Sequence, residues 1–198
     1  MKVQISQTIR TFIDQKKGNY LVFFPSYEYL QMVYEIYKAD YAESDHILQT
    51  PSMSENERDT FLRHFSRNNS RSLVGFAVMG GIFGEGIDLV GEQLSGAVVV
   101  GVGLPGICLE RELIREYFAD TLKAGFEFAY QYPGINRVLQ AAGRVIRSET
   151  DRGAVLLIDQ RYATYRYRSL LGKQWETTKV RDHRQVAEEL NKFWTAAG

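Results

Sequence analysis

The amino-acid sequence predicts an α/β fold with a mainly parallel central sheet covered by helices on both faces. Two observations predict it. Several short runs are apolar throughout, such as Leu73-Val74-Gly75-Phe76-Ala77-Val78, Ala97-Val98-Val99-Val100 and Ala154-Val155-Leu156-Leu157-Ile158, and amphipathic stretches at helical spacing alternate with them. A strand buried on both faces reads as a continuous hydrophobic run, whereas a strand with one face in water alternates. These strands therefore belong in the middle layer of three.

The elements follow in order. Ile5, Ile9, Phe12 and Ile13 recur at helical spacing, and Lys16-Lys17-Gly18-Asn19 supplies a basic last turn and a stop. Leu21-Val22-Phe23-Phe24 is a strand closed by Pro25-Ser26, and Leu30, Val33, Tyr34 and Tyr37 mark the helix it feeds. His46-Ile47-Leu48-Gln49 is a candidate strand. Ser54 with Glu57 three residues on is a capping box, opening a helix with Phe61, Leu62 and Phe65. After the two central strands, Leu109 to Lys123 reads as a helix and Pro133 as a helix start. Gly125 to Tyr130 gives only a doubtful strand pattern. Val186, Leu190 and Phe193 suggest a terminal helix, so the chain divides into a domain over residues 1–175 and a helical extension over 176–198, packed on the same domain.

Composition limits the function. Lys plus Arg and Asp plus Glu are 24 each, so no bulk field draws the chain onto nucleic acid or an acidic membrane, and any such contact depends on local placement. The lone Cys108 excludes an internal disulfide and any four-cysteine metal site within the chain. No apolar run approaches the roughly 18 residues of a membrane span, and Met1-Lys2-Val3-Gln4 lacks a signal-peptide core. The expectation is a cytoplasmic protein without membrane contact. With 12 Tyr and 11 Phe, flat side chains are plentiful enough to serve as core or as stacking surfaces.

The most informative stretch is Gln140-Ala141-Ala142-Gly143-Arg144-Val145-Ile146-Arg147. On a helix, at about 100° per residue and with Gln140 at zero, Arg147 falls at about −20°, Arg144 at about +40° and Arg137 at about +60°. Ile135, Val138, Leu139, Ala142, Val145 and Ile146 fall on the opposite side. No Asp or Glu lies between Glu127 and Glu149, so the arginines lack acidic neighbours on their own helix. Such a stripe suits an anion, or it is simply a solvated face. Gly143 in mid-helix costs about 1 kcal/mol relative to Ala, which a close backbone approach would explain.

Two glycine-rich loops follow strands. Gly80-Gly81-Ile82-Phe83-Gly84-Glu85-Gly86-Ile87-Asp88 lies at the carboxyl edge of the sheet, where ligands bind, with Asp88 able to accept a hydroxyl hydrogen bond; it also reads as a tight connection. Gly101-Val102-Gly103-Leu104-Pro105-Gly106 matches the dinucleotide fingerprint, yet Pro105 complicates the helix that should open there, so no NAD or NADP binding is expected. The chain has no Walker A loop, because its Gly172-Lys173 is followed by Gln174 and preceded by Tyr167 where the first glycine belongs. It has no Asp-Glu pair to hold Mg²⁺. His46, His64 and His183 are scattered and suggest neither a zinc site nor a catalytic triad.

Taken in order, Leu21-Val22-Phe23-Phe24-Pro25-Ser26-Tyr27, Gly81 to Asp88, Gln140 to Arg147 and Leu157-Ile158-Asp159-Gln160-Arg161 resemble helicase motifs IV, V and VI of the second RecA-like domain of superfamily two DNA helicases of the XPD and DinG type. The likeness covers roughly residues 1 to 175. It implies a RecA-like three-layer α/β/α domain of an ATP-dependent DNA helicase of the bacterial, DinG-like branch, unwinding 5′ to 3′ and serving DNA repair. It also implies that Arg144 and Arg147 reach the γ-phosphate of ATP held with Mg²⁺ by a first RecA-like domain, with Gln140 beside the phosphate or the attacking water. Glu85, Gly86, Asp88 and Gly143 would then lie on the ATP side, and Ser26, Tyr27, Gly81 and Phe83 along single-stranded DNA. The missing Walker A loop belongs, in this family, to the first domain, and the iron–sulfur cluster of some members would sit outside this chain. Gly84 departs from the family's usual Ser, removing one side-chain hydrogen bond. Two rivals remain: a stand-alone nucleotide-binding or regulatory module that kept the fold, and a dinucleotide-dependent oxidoreductase built on Gly101, Gly103 and Gly106.

Overall fold

Six consecutive buried residues, Asn19–Phe24, form strand β1 at the centre of the sheet. The computed structural model describes residues 1–41, 45–65, 69–80, 94–145, 152–172 and 175–196. Among these residues, β1 is joined by β2 (Asp45–Leu48), β3 (Leu73–Val78), β4 (Gly96–Val100) and β5 (Ala154–Ile158) in the order β2-β3-β1-β4-β5. Every neighbouring pair is parallel, with Val22 held between Phe76 and Val98. The RecA-like three-layer α/β/α fold expected from the sequence is the one observed.

Successive side chains of a strand point to opposite faces, and β1 divides its residues accordingly. Tyr20, Val22 and Phe24 pack with helices α1 (Lys2–Asp14), α2 (Tyr27–Asp40) and α7 (His183–Thr195). Leu21 and Phe23 pack on the other face with α3 (Glu55–Arg63) and α5 (Tyr132–Ala142). Beyond β5, Tyr162 and the Tyr167 of a single-turn helix, α6 (Tyr165–Arg168), join the same face. Each fully buried Phe or Leu side chain stabilises the fold by roughly 1.5–3 kcal/mol. Most of the aromatic residues noted in the sequence serve this core; Phe23, Phe24, Phe76, Tyr20 and Tyr37 are at most 1% exposed.

The local signals act as their chemistry requires. The Ser54 hydroxyl accepts from the Glu57 N–H while the Glu57 carboxylate accepts from the Ser54 N–H, closing the capping box of α3. The terminal helix α7 docks on α1, with Val186 buried, Gln7 and His183 side chains hydrogen-bonded at 3.2 Å, and the Lys16 ammonium 4.1 Å from the Trp194 ring centre. Helix α4 (Leu109–Leu122) buries no residue and instead stacks Phe118 on Phe128, 4.1 Å between ring centres.

Two expectations need correction. Residues Gly125 to Tyr130, a doubtful strand by pattern, include a π-helical turn, Glu127–Gln131, that runs directly into α5. Arg166 pins this turn: its Nε donates to Gln131 Oε1 at 2.8 Å and its Nη2 to Glu127. The helix carrying the arginine stripe ends before Arg144, since α5 stops at Ala142 and residues 143–145 form a turn. Gly143 therefore sits at the helix end rather than in mid-helix, in right-handed conformation. Its N–H donates to Leu139 O at 2.8 Å, and the Val145 N–H closes a tighter turn on Ala142 O at 3.1 Å.

A parallel sheet places all strand carboxyl ends at one edge, so a helix connecting two strands runs back antiparallel to them. Helix α5 shows this at both ends. Its Gly134 meets the loop after β4 so closely that a Cβ there would lie 2.7 Å from Val102 O, while Val145 packs against Gly153, just before β5. Gly134→Ala is therefore expected to destabilise the chain by about 1–3 kcal/mol and lower its melting temperature by about 3–10 °C. Gly106→Ala, with nothing within 4 Å of the new methyl, should leave the melting curve unchanged when the two are compared by calorimetry.

Candidate functional site

At the carboxyl edge, four strand ends converge. Pro25 and Ser26 follow β1, Met79 and Gly80 follow β3, Gly101 to Gly103 follow β4, and Asp159 to Arg161 follow β5. Gly101 and Gly103 take positive φ of 86° and 65°, the left-handed region that glycine adopts without strain. Tyr162 donates its hydroxyl hydrogen to Gly101 O at 2.9 Å, and the Gly101 N–H donates to Ile158 O at 3.0 Å. Ser26 caps α2, its Oγ accepting from the Tyr29 N–H at 3.2 Å, and is itself exposed. Tyr27 opens that helix half-buried, and its hydroxyl accepts from Gln49 Nε2 at 2.8 Å. Burial pushes the Tyr27 phenol above its ordinary pKa, so it stays protonated at neutral pH.

The Gly101-to-Gly106 fingerprint forms no cradle at a helix start. A pyrophosphate site needs a helix opening at the last glycine, whereas α4 begins at Leu109 behind an N-cap at Cys108. The loop packs against α5 instead, with a Cβ on Gly103 falling 2.7 Å from Gly134 O. This geometry disfavours the oxidoreductase reading.

Arg137 belongs to the same edge. Its Nη1 donates to Gly103 O at 3.4 Å, and its Nε lies 2.8 Å from where a Gly80 Cβ would stand. The guanidinium thus bridges the loops that follow β3 and β4. The sequence stripe had grouped it with Arg144; its bond to Gly103 and its packing on Gly80 had no signal in the pattern.

The other expected residues lie at the opposite edge. Gln140 and Gly143 are exposed at the carboxyl end of α5, and Arg144 lies in the turn beyond it. An 11-residue helix spans roughly 16 Å at 1.5 Å per residue, so this group is separated by about that distance from the 101–106 loop. Arg144 is not a solvated stripe residue, for it is only 8% exposed. The helix ends before it, so its direction is set by the turn and not by helical phase. Gly81, Phe83, Glu85, Gly86, Asp88 and Arg147 lie outside the described residues.

Gln49 was missed by sequence reasoning. It is a polar residue closing an apolar run, and its 1% exposure could not be read from that pattern. The structure ties it to Tyr27 and, through Oε1, to the Val78 N–H at 2.8 Å. The Asp159–Arg161 contact was visible only as part of a motif. Asp159 accepts from the Arg161 N–H and Nε at 2.9 Å and from Nη2 at 2.8 Å. Burial works against the carboxylate, but these bonds outweigh it and hold the Asp159 carboxyl below its ordinary range.

Known proteins resemble this chain in sequence and in fold. The family described as "Helicase C-terminal domain" matches residues 9–178. The chain belongs to that family. It is 26% identical over 212 residues to the regulator of telomere elongation helicase 1 homolog of Aedes aegypti, an alignment that spans 98% of this chain and 21% of that protein. The ATP-dependent DNA helicase CHL1 of Debaryomyces hansenii is 27% identical, over 98% of this chain and 26% of the relative. This chain thus spans about a fifth to a quarter of these curated relatives. Among solved structures, XPD_APO superposes with a TM-score of 0.72 at 22% identity, over 91% of this chain and 36% of that one. XPD_Helicase gives 0.67 at 25%, over 86% and 30%. The C-terminal domain of the DEAD-box protein Dbp5 gives 0.55 at 15%, over 96% and 90%. Among the described residues, no helix is long and apolar enough to cross a membrane.

Two outcomes follow from this geometry. Arg144→Ala is expected to lower stability by about 1–3 kcal/mol because it empties a buried site, whereas exposed Gln140→Ala should stay within about 0.5 kcal/mol; urea melts of the two variants check this. For Asp159, a depressed carboxyl contributes stability that is present above its unfolded value of about 3.9 and is lost as pH falls through the folded value. Asp159→Asn should therefore melt below the parent at pH 7, with the gap closing as the pH falls below the unfolded value and through the depressed folded one.

Proposed function

We propose that this chain is the second motor domain of an ATP-dependent DNA helicase and works only against a first RecA-like domain. The observation that carries the proposal is the division of the motif residues between two edges of one sheet. Ser26 and Tyr27 stand at the carboxyl edge, while Gln140, Gly143 and Arg144 stand at the far end of α5. Two ligands that must be held at once, a nucleic-acid strand and a nucleotide, fit such a division better than one small substrate does.

In this reading, Arg147 and Arg144, the latter buried in this chain, meet the γ-phosphate of ATP when a first RecA-like domain holding it with Mg²⁺ closes on this one. Planar guanidiniums stabilise charge on a transferring phosphoryl group. Gln140 sits beside the phosphate or the attacking water, and Glu85, Gly86, Asp88 and Gly143 complete the nucleotide side. Single-stranded DNA runs past Ser26, Tyr27, Gly81 and Phe83, held by backbone N–H groups and hydroxyls rather than by a basic patch. The likeness to the ATP-dependent DNA helicase CHL1 supports a DNA substrate. Membership of the bacterial DinG-like branch, 5′ to 3′ polarity, DNA repair, a cytoplasmic setting and an iron–sulfur cluster elsewhere in the polypeptide rest on the motif resemblance. Residues 176–198 are read as a helical extension of the same domain, because α7 docks on α1.

The purified chain should hydrolyse no ATP, since it carries neither a phosphate-gripping loop nor a Mg²⁺ grip. It should bind a labelled single-stranded oligonucleotide weakly. That affinity should fall further as salt rises from about 50 to 200 mM, read by fluorescence anisotropy. Mg²⁺-dependent turnover by the chain alone, or tight binding indifferent to salt, contradicts the proposal.

A further inference from the structure

Gln49 is 1% exposed, the kind of polar side chain whose every hydrogen bond needs a partner. It follows β2, and its own N–H donates to Phe76 O at 2.8 Å, which fixes its backbone beside the end of β3. Its side chain meets two groups. The Val78 N–H reaches Oε1 at 2.8 Å, and Nε2 reaches the Tyr27 hydroxyl at 2.8 Å.

A side-chain amide can be turned over without changing its shape, so which end faces which partner must be settled by the partners. Here one of them has no choice. A backbone N–H only donates, so the amide oxygen must face Val78. The amide NH₂ must then face Tyr27, and it only donates. The Tyr27 oxygen is therefore an acceptor on its inner side, and its own proton is turned away from Gln49.

From this geometry we infer that Gln49 is a positioning residue that makes Tyr27 an outward hydrogen-bond donor, aimed at a phosphate oxygen of single-stranded DNA. The inference rests on the proposed DNA path past Ser26 and Tyr27. A phenol hydrogen-bonded the other way would offer only lone pairs to the edge of the sheet and would repel an anion. Burial raises the Tyr27 pKa, which keeps the proton in place through neutral pH. The same amide also secures the last N–H of β3, two residues before Gly80, where the motif V loop begins. One buried side chain thereby ties the motif IV turn to the root of motif V.

The test is a double-variant cycle in this chain, with Tyr27→Phe, Gln49→Met and the pair together, reading oligonucleotide affinity by anisotropy and folding by thermal melting. Loss of one hydrogen bond to a charged acceptor weakens binding on the order of tenfold, and that is expected for Tyr27→Phe, with melting lowered by a few degrees because the buried Gln49 amide loses its acceptor. Gln49→Met should weaken binding several-fold, and when added to Tyr27→Phe it should change affinity by less than about twofold. Should Gln49→Met fold too poorly, Gln49→Glu keeps an acceptor for Val78. At this buried position the Glu carboxyl titrates well above its ordinary range and, once ionised, draws the Tyr27 proton inward, so the affinity loss should grow from pH 6 to pH 9 with Tyr27 present and vanish when combined with Tyr27→Phe. Losses that multiply in the double variant, a Gln49→Glu pH profile that is the same in both backgrounds or flat at the parent level, or unchanged binding by Tyr27→Phe each overturn the inference while leaving the DNA path standing. Absence of any oligonucleotide binding by the parent chain overturns the DNA path and the inference with it.

Discussion

Strand β1 is the constraint on which the rest of the molecule depends. It is buried along its whole length and paired in parallel on both sides, to β3 and to β4. Parallel pairing forces every strand to end at the same edge and requires the chain to return through a crossover before the next strand begins. The turn at Pro25 and Ser26, the glycine at position 80, the Gly101-to-Gly103 loop and the Asp159–Arg161 pair are neighbours for that reason alone. Residues far apart in sequence become one edge without any of them having to attract the others.

The same constraint separates the two proposed sites. Helix α5 is fastened at its start by the close approach of Gly134 and Gly103 and at its far end by the packing of Val145 on Gly153. Its length then fixes how far Arg144 stands from the Tyr27 edge. Under the proposed function, a stiff rod between the nucleotide and DNA sites is a direct mechanical link. Arg137 contributes at one end of the rod, hydrogen-bonded to the Gly103 backbone and packed against Gly80. Arg166 contributes at the same end, locking the π-helical turn that leads into the helix.

Much of this was legible in the sequence. The apolar strands, the capping box at Ser54 and Glu57, and the buried face of α5 carrying Ile135, Val138 and Ala142 follow from periodicity and local chemistry. What failed was phase beyond a helix end. Val145 was placed on the apolar side and is buried, but Arg144 was placed on the solvent side and is buried too. Helical angles stop meaning anything once the chain turns at Gly143, and nothing in Gly-Arg-Val announces that turn. Gln49 and Arg137 were invisible as anchors for a different reason: a polar side chain that satisfies a distant backbone group leaves no mark on spacing. The ordered motifs, in contrast, carried the family membership because four separate segments had to agree.

The central claim is that the arginines beyond α5 complete a nucleotide site supplied by another domain. It is tested most directly by single-turnover ATP hydrolysis, with DNA present, in a polypeptide that joins this chain to a P-loop RecA-like domain. Because Arg144 is buried and its loss disturbs folding, the informative substitutions are Arg147→Ala and Arg147→Lys. An arginine that acts on the γ-phosphate from across a cleft contributes on the order of 10³ to 10⁵ in rate, and Lys cannot reproduce its planar fork. The account predicts a loss of that size for both variants, with melting temperature unchanged. Near-normal turnover by either variant would contradict it.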